Sequence, residues 1–229
     1  MAVSPFDDQA STYNDFCETP LGHFVDVVEH DMVAALAGPK PGESAIDLGC
    51  GTGSYTYWLH DMGLTVVGVD TSPNMLEVAR QKRENGVTFL QADLIRLPFD
   101  DGMFDLAICN AVLEFTNDPV AILREAFRVL KPGGRFVIGC INKYGAWGRK
   151  YAKRGHEDPT SIYSHAQFFS FEDISGMGLG HPSEVRFGLY VTPDEFGDFE
   201  SAMELEQERH TRNCGAGYFV ARWDKTLER

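Results

Sequence analysis

The sequence predicts an α/β fold with a mostly parallel sheet, and two observations support that prediction. Short apolar runs that suit buried strands recur between residues 45 and 141, and segments with helical spacing separate them. Glycine, aspartate or asparagine follows each of the first four runs directly. Strands that alternate with helices at this spacing form βαβ units, whose strands lie parallel.

A helix is predicted before the first strand. Residues 1–19 are polar and rich in turn formers, and from Pro20 to Leu36 apolar residues recur at helical spacing. Gly38 and Pro39 then supply a terminating glycine and a residue that cannot continue a helix. We therefore expect an amphipathic helix that packs beside the first strand.

Five strands and three helices follow in order. The strands are predicted at 45–48, 64–69, 87–92, 104–109 and 135–141. The helices are predicted at 55–61, 73–85 and 119–130. Ser72 suits the N-cap of the second helix, and Pro73 suits its first position. Residues 98–102 and 131–134 are predicted turns.

The alternation ends after residue 141. Residues 142–182 are polar and aromatic, and we expect an insertion there. We then predict a strand at 183–192, an acidic helix at 194–210 with Phe196, Phe199 and Met203 inward, and a last strand at 217–223. The chain is interpreted as one domain, 1–229, whose four parts are N-terminal helices (1–40), a ligand-binding core (41–141), a substrate-side insertion or lid (142–182) and C-terminal strands with a helix (183–229).

Composition excludes several classes of function. The 229 residues include 43% hydrophobic and 24% charged residues, which is ordinary for a globular domain, and their formal net charge is −14. Nucleic acids and anionic membranes need a basic surface, so neither is expected as a partner. The five cysteines form no Cys-x-x-Cys pair, which favours a reducing cytoplasm. The seven histidines lack metal-ligand spacing, so no metal is predicted.

The stretch after the first strand predicts a ligand site. Gly49, Gly51 and Gly53 alternate there, and glycine lets a ligand approach the backbone closely. Asp70, Asp93 and Asn110 end the next three strands. In open α/β sheets, ligands bind at these carboxyl ends.

The charges near this loop favour one kind of ligand. A dinucleotide fingerprint needs glycine where Ser54 stands, and Asp47 would repel phosphate. Asp47 either suits a cationic ligand or fixes the loop by hydrogen bonds to backbone N–H groups. Asp70 suits ribose hydroxyls, and Asp93 suits the adenine amine. A ligand with ribose, adenine and positive charge but no phosphate points to S-adenosylmethionine.

The motifs support this inference by resemblance. Residues 45–53 closely resemble motif I of the class I S-adenosylmethionine-dependent methyltransferases. The resemblance covers about 40–141 and continues through Val69-Asp70, Gln91-Ala92-Asp93, Leu97-Pro98-Phe99, Phe104-Asp105 and Leu130-Lys131-Pro132-Gly133-Gly134. The most similar branch is the small-molecule type 11 group, which includes the ubiquinone and menaquinone methyltransferases. It implies a Rossmann-like three-layer sandwich with a mostly parallel seven-stranded sheet whose last strand is antiparallel.

The resemblance also implies a set of cofactor contacts. The glycine loop would lie against the methionine part, Asp70 would hold the ribose, and Asp93 and Leu94 would contact the adenine together with Met75. Asn110 and Ala111 would line the methyl-transfer end, and Tyr13 would close over the cofactor. The full predicted set is Tyr13, Asp47, Gly49, Cys50, Gly51, Thr52, Gly53, Asp70, Thr71, Ser72, Met75, Asp93, Leu94, Asn110 and Ala111.

The acceptor side is less defined by the sequence. A positively charged sulfur already activates the methyl group, so alignment and removal of a proton suffice and no protein nucleophile is required. His165 and Glu114 are the candidates for proton transfer or substrate contact. Tyr144, Trp147 and Arg149, with His165, form either a lid with aromatic walls and a cationic rim or a solvated helix face.

Other functions stay open at this point. Cys17, Cys140 and Cys214 would permit thiol-assisted methylation of a metalloid, and a regulatory protein could bind the cofactor without transferring methyl. Asp47 and Ser54 disfavour a dehydrogenase. The sequence Cys109-Asn110-Ala111-Val112 lacks the Asn-Pro-Pro-Tyr signature of many enzymes that methylate planar amino groups. We therefore expect a methyltransferase that acts on a small-molecule acceptor. For its assembly we expect a monomer or a homodimer.

Overall fold

A seven-stranded sheet forms the centre of the protein. The structure is a computed structural model, and it describes residues 6–83, 86–210 and 215–226. The strands are β1 (Ser44–Leu48), β2 (Thr65–Asp70), β3 (Thr88–Gln91), β4 (Phe104–Asn110), β5 (Leu130–Ile141), β6 (Glu184–Gly188) and β7 (Tyr218–Asp224). Their order across the sheet is β3-β2-β1-β4-β5-β7-β6.

The pairing of the strands confirms the predicted fold class. Strands β1 to β5 pair in parallel, whereas β7 lies antiparallel to both β5 and β6. The sheet is therefore mostly parallel, and its last strand along the chain is antiparallel. Neighbouring residues of β4 point to opposite faces: Leu106 and Ile108 join one hydrophobic cluster, and Ala107 and Cys109 join the other.

Helices cover both faces of this sheet. They are α1 (Asp15–Glu18), α2 (Pro20–Ala37), α3 (Ser54–Asp61), α4 (Pro73–Lys82), α5 (Pro119–Val129), α6 (Ala146–Glu157), α7 (Phe171–Ser175) and α8 (Phe199–His210). Helices α5 and α7 pack in one hydrophobic cluster, and α2, α3 and α8 pack in the other. The result is the three-layer sandwich that the resemblance implies.

Local signals account for where α2 and α4 begin. The Thr19 hydroxyl accepts a hydrogen bond from the backbone N–H of Gly22, and the Ser72 hydroxyl accepts one from that of Met75. Proline occupies the first turn of each helix. Both N-termini match the sequence prediction, because the capping residues satisfy backbone donors that no helical carbonyl reaches.

Residues 131–134 form no separate turn, so that prediction is wrong. They belong to β5, whose register with β4 shifts between Phe104 and Leu106. The N–H of Gly133 donates to the Lys225 carbonyl, and the N–H of Lys225 donates to the Gly134 carbonyl. This pairing with the residue that follows β7 holds the glycine-containing stretch in the sheet as an irregular extension.

Two of the C-terminal elements, β6 and α8, are shorter than predicted. Strand β6 ends at Gly188, because the next residue, Leu189, has a left-handed φ of 59°. Helix α8 begins at Phe199, five residues after the predicted start. In the insertion, α6 and α7 flank a 3-10 turn, Ile162–His165. No helix in the described ranges is long and apolar enough to cross a membrane.

Candidate active site

The glycine loop lies between the carboxyl ends of β1 and β2. The N–H groups of Gly49 and Cys50 both donate to the Val69 carbonyl, at 2.7 and 3.0 Å. Gly51 has a φ of 51°, and a side chain built there would meet nothing within 4 Å. This part of the loop therefore presents bare backbone to an open space, as a close ligand contact requires.

Asp70, at the end of β2, is held in one orientation by the loop. Its Oδ2 accepts a hydrogen bond from Gly51 N, and its Oδ1 accepts one from Ser72 N, both at 2.8 Å. Burial raises the pKa of this carboxyl above its ordinary value. Each carboxylate oxygen can accept more than one hydrogen bond, so Asp70 keeps acceptor capacity for a ligand hydroxyl.

Asp47 lies beneath the loop rather than on its surface. It is 2% exposed, and its Oδ2 accepts a 2.6 Å hydrogen bond from the hydroxyl of Thr56, on α3. Burial raises its pKa to about 7. Asp47 thus ties β1 to α3 through the side-chain hydroxyl of Thr56, a partner that the sequence did not indicate.

The N-terminal segment contacts the same edge of the sheet. The Thr52 hydroxyl donates to Asn14 Oδ1 at 2.9 Å, and the Ser72 hydroxyl donates to the Asp7 carboxylate. Asn74 Nδ2 donates to the Asp7 carbonyl at 3.0 Å. Asp7 and Asn14 were missed by sequence reasoning, because each is an isolated polar residue in a turn-rich stretch.

The remaining predicted adenine contacts differ in exposure. Asp93 is exposed, and its Oδ1 accepts a 3.1 Å hydrogen bond from Ile95 N. Leu94 is 6% and Met75 2% exposed, so their side chains pack inward. Thr71 is half-buried, and its carbonyl accepts from Gln91 Nε2 at 3.1 Å. Cofactor contact by these residues stays a prediction.

Residues at the end of β4 form a second polar group. Asn110 Oδ1 accepts a hydrogen bond from the Tyr218 hydroxyl, and Ala111 has a left-handed φ of 52°. The Glu114 side chain is fully buried, and Ile141 N donates to its Oε1 at 2.7 Å. Its Oε2 has no hydrogen-bond partner among the described residues. Burial raises the Glu114 pKa to about 7.

Because burial raises the pKa values of Asp47 and Glu114, we expect the free energy of unfolding to fall as the pH rises. Asp47 and Glu114 have folded-state pKa values of about 7, against ordinary values of 3.8 and 4.5. Between the ordinary and the folded-state pKa values, the folded chain binds more protons than the unfolded chain. The free energy of unfolding is therefore highest below about pH 4 and falls as the pH rises through about 7. Urea unfolding should give a lower free energy at pH 8.5 than at pH 5.5. An equal or higher value at pH 8.5 would contradict the prediction.

The four predicted substrate residues do not share one surface. Trp147 is 2% exposed, and its indole N–H donates to the Val191 carbonyl at 2.9 Å. Tyr144 and Arg149 are exposed, and the Arg149 guanidinium donates to the Tyr144 carbonyl. His165 is exposed beside His156 in a surface depression between α6 and the 3-10 turn. Tyr144 and Arg149 therefore lie together at the surface. Trp147 is buried, so it does not share a surface with Tyr144, Arg149 or His165.

The position of Trp147 predicts a structural effect for Trp147→Phe. The substitution leaves the Val191 carbonyl without its donor and should lower the free energy of unfolding by about 1–3 kcal/mol. Cofactor affinity should not change, because the indole packs within the α2 side of the core. Urea denaturation and calorimetric titration measure the two effects. Tyr144→Phe, at a 64% exposed position, is the control and should stay within about 0.5 kcal/mol.

A row of aromatic rings that the sequence does not predict passes Phe115, which lies just after β4. We call Phe6, Tyr13, Phe115, Tyr163 and Tyr151 the aromatic wall. Successive ring centroids lie 5.9, 4.8, 6.2 and 4.3 Å apart in the order Tyr13–Phe6–Phe115–Tyr163–Tyr151. The wall joins the N-terminal segment to α6, which no local sequence pattern indicates.

Metal and thiol chemistry receive no support in the described ranges. No group of three or more His, Cys, Asp or Glu residues within 6–83, 86–210 and 215–226 is placed to hold a metal ion. Cys17 is exposed and Cys140 is buried, and both are free thiols. Cys214, the third member of the predicted thiol set, lies outside the described residues.

Comparisons with known proteins agree on one family. The methyltransferase domain family matches residues 46–138. Demethylmenaquinone methyltransferase of Lactococcus lactis is 41% identical over 221 residues, covering 86% of this chain and 82% of that protein. Malonyl-(acyl-carrier protein) O-methyltransferase of Serratia marcescens is 32% identical over 111 residues, covering 48% and 43%.

A solved structure is similar over nearly the whole chain. It is an S-adenosylmethionine-dependent methyltransferase of Thermotoga maritima, described as a possible histamine N-methyltransferase. Its TM-score is 0.76 at 25% identity, with 97% of this chain and 98% of that chain covered.

The fold and the loop define an α/β transferase that binds a nucleoside cofactor at its strand ends. The chain belongs to the S-adenosylmethionine-dependent methyltransferases. Its cofactor is S-adenosylmethionine, and it is an enzyme that transfers a methyl group. The residues present fit this cofactor, because Asp70 retains acceptor capacity beside the bare backbone of Gly51.

Proposed function

We propose that this methyltransferase acts on a small-molecule acceptor bound between the glycine loop and the aromatic wall. The observation that carries the proposal is the position of Asp70 next to Gly51. The Asp70 carboxylate accepts a hydrogen bond from Gly51 N, and the backbone of Gly51 faces open space. Bound S-adenosylmethionine supplies a methyl group on a positively charged sulfur. The protein's work is then to orient the acceptor, exclude water and accept a proton.

Part of the predicted cofactor set receives a proposed role. Asp70 accepts hydrogen bonds from the ribose hydroxyls, and the loop 49–53 lies along the methionine part. Asp93 has an exposed carboxylate for the adenine amine. Asn110 and Ala111 border the transfer end, where the Tyr218 hydroxyl orients the Asn110 side chain.

The acceptor site is proposed from this chain's own residues, because the relatives do not agree on an acceptor. The names of the similar proteins print different acceptors: demethylmenaquinone, malonyl-(acyl-carrier protein) and, for the protein described as a possible N-methyltransferase, histamine. The cofactor half of the fold therefore does not decide the acceptor. We assign that task to the aromatic wall and the carboxyl groups beside it.

Cellular context is proposed on narrower grounds. The free thiols of Cys17, Cys50, Cys109 and Cys140 support a reducing cytoplasm. The acidic charge of −14 supports a small acceptor over a nucleic acid. A monomer or homodimer stays the prediction for assembly.

Two measurements on the same protein test the proposal. S-adenosylmethionine should raise the melting temperature, whereas NAD should leave it unchanged. The protein should then transfer labelled methyl to at least one compound in a small-metabolite extract freed of macromolecules. Stabilisation by NAD alone would contradict the assigned cofactor site. Transfer of label to the macromolecular fraction of the same extract, with none to the small-metabolite fraction, would contradict the small-molecule acceptor.

A further inference from the structure

Glu114 is a fully buried acid just beyond the end of β4. Strand β4 ends at Asn110, and the next residue, Ala111, has a left-handed φ of 52°. Beyond this point the Glu114 Oε1 atom accepts a 2.7 Å hydrogen bond from the backbone N–H of Ile141, at the end of β5. The carboxylate thus accepts this hydrogen bond in place of a strand carbonyl, and it lies at the carboxyl edge of the sheet.

The second oxygen of this carboxylate has no partner. The Oε2 atom is buried and accepts no hydrogen bond from any residue of 6–83, 86–210 and 215–226. The residue itself is held firmly, because the backbone N–H of Gln167 also donates to the Glu114 carbonyl at 2.7 Å. A buried carboxylate oxygen without a donor is costly, so this atom needs an explanation. A ligand that donates a hydrogen to Oε2 would supply one.

The Asn110 side chain is a second polar group at the same edge. The hydroxyl of Tyr218, which is fully buried, donates a hydrogen bond to Asn110 Oδ1. A side chain built at Gly139 would overlap both the Tyr218 hydroxyl and Asn110 Oδ1, so glycine leaves the room for this pair. Tyr218 therefore holds the Asn110 amide in one orientation over β5.

The other end of the amide is available to a ligand. The Asn110 Nδ2 atom donates to no residue in the described part of the chain. Asn110 is half-buried, and Nδ2 is not among the buried atoms that lack a partner, so water reaches it. The site therefore offers two N–H donors on a side chain that is already oriented.

The amide and the carboxylate lie close together along β5. Asn110 lies over Gly139, and Glu114 binds the backbone of Ile141, two residues further on. Residues two apart in a strand are separated by about 6.5 Å. One small polar group with a hydrogen bond of about 2.8 Å on each side can bridge such a gap. The Asn110 end of the gap is open to water, and the Glu114 end is buried.

We propose that Asn110 and Glu114 bind the reacting group of the acceptor, and that this group is the hydroxyl of a neutral compound with an aromatic body. This inference rests on the proposed function and adds the reacting group. A hydroxyl oxygen accepts a hydrogen bond from the amide and donates its hydrogen to Oε2, so it satisfies both groups. The ring of Phe115, which follows Glu114, belongs to the aromatic wall, against which an aromatic body packs. Tyr218 is the positioning residue for Asn110.

Glu114 also takes the proton that this reaction releases. The hydroxyl oxygen uses a lone pair to form the new O–C bond, while the C–S bond breaks and leaves its electron pair on sulfur. The hydroxyl proton passes to Glu114 Oε2. The positive charge on sulfur and the negative charge of the carboxylate are both neutralised, which leaves an ether, a thioether and a carboxylic acid. Burial, which raises the Glu114 pKa to about 7, favours this neutral acid.

Charged acceptors satisfy only one of the two groups. A carboxylate acceptor would accept from the Asn110 amide but would place a second negative charge next to Glu114, and like charges in a buried site repel strongly. An ammonium would donate to Glu114 but has no lone pair for the amide, and alkylamines carry this charge at neutral pH. The pair therefore favours a neutral hydroxyl.

The position of the transferred methyl group tests the acceptor class. The wild-type protein is given S-adenosylmethionine with a carbon-13 methyl group and a small-metabolite extract, and the labelled product is isolated. NMR of that product shows which atom bears the methyl group. We expect a methyl ether. A methyl group on nitrogen, on carbon or in an ester overturns the hydroxyl proposal.

Binding tests recognition without turnover. The probes 4-ethylphenol, 4-ethylbenzoate and 4-ethylbenzylamine have similar sizes and are neutral, anionic and cationic at neutral pH. Calorimetric titration of protein saturated with S-adenosylhomocysteine should show the tightest binding for the phenol. Failure of the phenol to bind, or tighter binding of either charged probe, contradicts the proposal.

Glu114→Gln tests the role of the carboxylate. The glutamine oxygen can still accept from Ile141 N, but an NH₂ donor replaces Oε2 and faces the hydroxyl hydrogen. The rate of methyl transfer should fall at least 100-fold, because general-base catalysis contributes about 10²–10⁴-fold. Binding of 4-ethylphenol should weaken at least fivefold, and S-adenosylhomocysteine affinity should stay within twofold. Glu172→Gln, at an exposed position, removes the same charge and should change none of these values more than twofold.

A double substitution tests whether Tyr218 acts through Asn110. Tyr218→Phe keeps the buried ring and frees the amide, so it should raise KM for the acceptor identified by NMR at least threefold and change kcat less. In an Asn110→Ala background the same substitution should change KM less than 1.5-fold. An equal effect in both backgrounds would mean that the Tyr218 hydroxyl acts on packing alone.

The possible failures are distinguishable. A Glu114→Gln protein that transfers methyl within threefold of the wild-type rate overturns the role of Glu114, while cofactor binding and transfer to small molecules still support the proposed function. Equal loss of S-adenosylhomocysteine affinity and rate also overturns it, since Glu114 would then serve the cofactor. If this variant does not fold, the product and probe measurements on the wild-type protein still decide the acceptor class. Absence of cofactor binding in the wild-type protein refutes the proposed function itself.

Discussion

Asp70→Ala should weaken S-adenosylmethionine binding by about 100-fold or more. In the proposed site, this carboxylate accepts hydrogen bonds from two ribose hydroxyls, and a hydrogen bond to a charged group contributes about 1.5–3 kcal/mol. Loss of both amounts to about 3–6 kcal/mol, and each 1.4 kcal/mol corresponds to a tenfold change in Kd. The substitution also removes the acceptor for the N–H groups of Gly51 and Ser72, so the loop loses its fixed shape.

Calorimetric titration and thermal unfolding separate these two effects. Asp70→Asn keeps the size of the side chain and one acceptor oxygen, so its fold should be better preserved than that of Asp70→Ala. It should still bind the cofactor at least tenfold more weakly than wild type. Asp100→Ala removes an exposed acid from the loop before β4 and should leave the affinity unchanged. Wild-type affinity in Asp70→Ala would exclude the ribose role.

The cofactor half of the site was largely predictable from the sequence. Its groups follow directly after strands, and parallel strands end at one edge of a sheet, so Gly51 and Asp70 had to lie close together. Their 2.8 Å hydrogen bond joins residues 19 positions apart, yet it depends only on the pairing of β1 with β2. Local patterns therefore contained the necessary information.

The acceptor half was not predictable in the same way. The aromatic wall joins Phe6, Phe115 and Tyr163, and no spacing links residues so distant in the chain. Trp147 was predicted to lie either in a lid or on a solvated helix face, and helical periodicity alone could not tell which face of α6 the rest of the fold would cover. These contacts arise from tertiary packing rather than from local pattern.

Gly49→Ala should be among the most destabilising substitutions in the loop, whereas Gly51→Ala should mainly affect binding. Both positions have left-handed φ values, 72° and 51°, which cost a non-glycine residue about 1–2 kcal/mol. A methyl group at Gly49 would also overlap the Val112 side chain, which adds about 1–3 kcal/mol. We therefore expect Gly49→Ala to lower the free energy of unfolding by about 2–5 kcal/mol.

At Gly51 the added methyl group meets no protein atom within 4 Å, so only the backbone strain remains. It would instead occupy space along the proposed path of the cofactor, and S-adenosylmethionine affinity should fall at least tenfold. Urea unfolding of the cofactor-free variants and calorimetric titration measure the two effects separately. Wild-type affinity in a folded Gly51→Ala protein would show that the cofactor does not approach this loop.

A double substitution tests the cause of the Gly49 effect. Val112→Ala removes the two methyl groups that the new Gly49→Ala side chain would overlap, so the combined variant should regain the packing part of the loss but not the backbone part. A double-mutant cycle should then give a favourable coupling of about 1–3 kcal/mol between the two positions. If the two changes in unfolding free energy simply add, backbone strain alone requires glycine at position 49. The left-handed conformation of Gly49, rather than its contact with Val112 after β4, would then determine the shape of the loop.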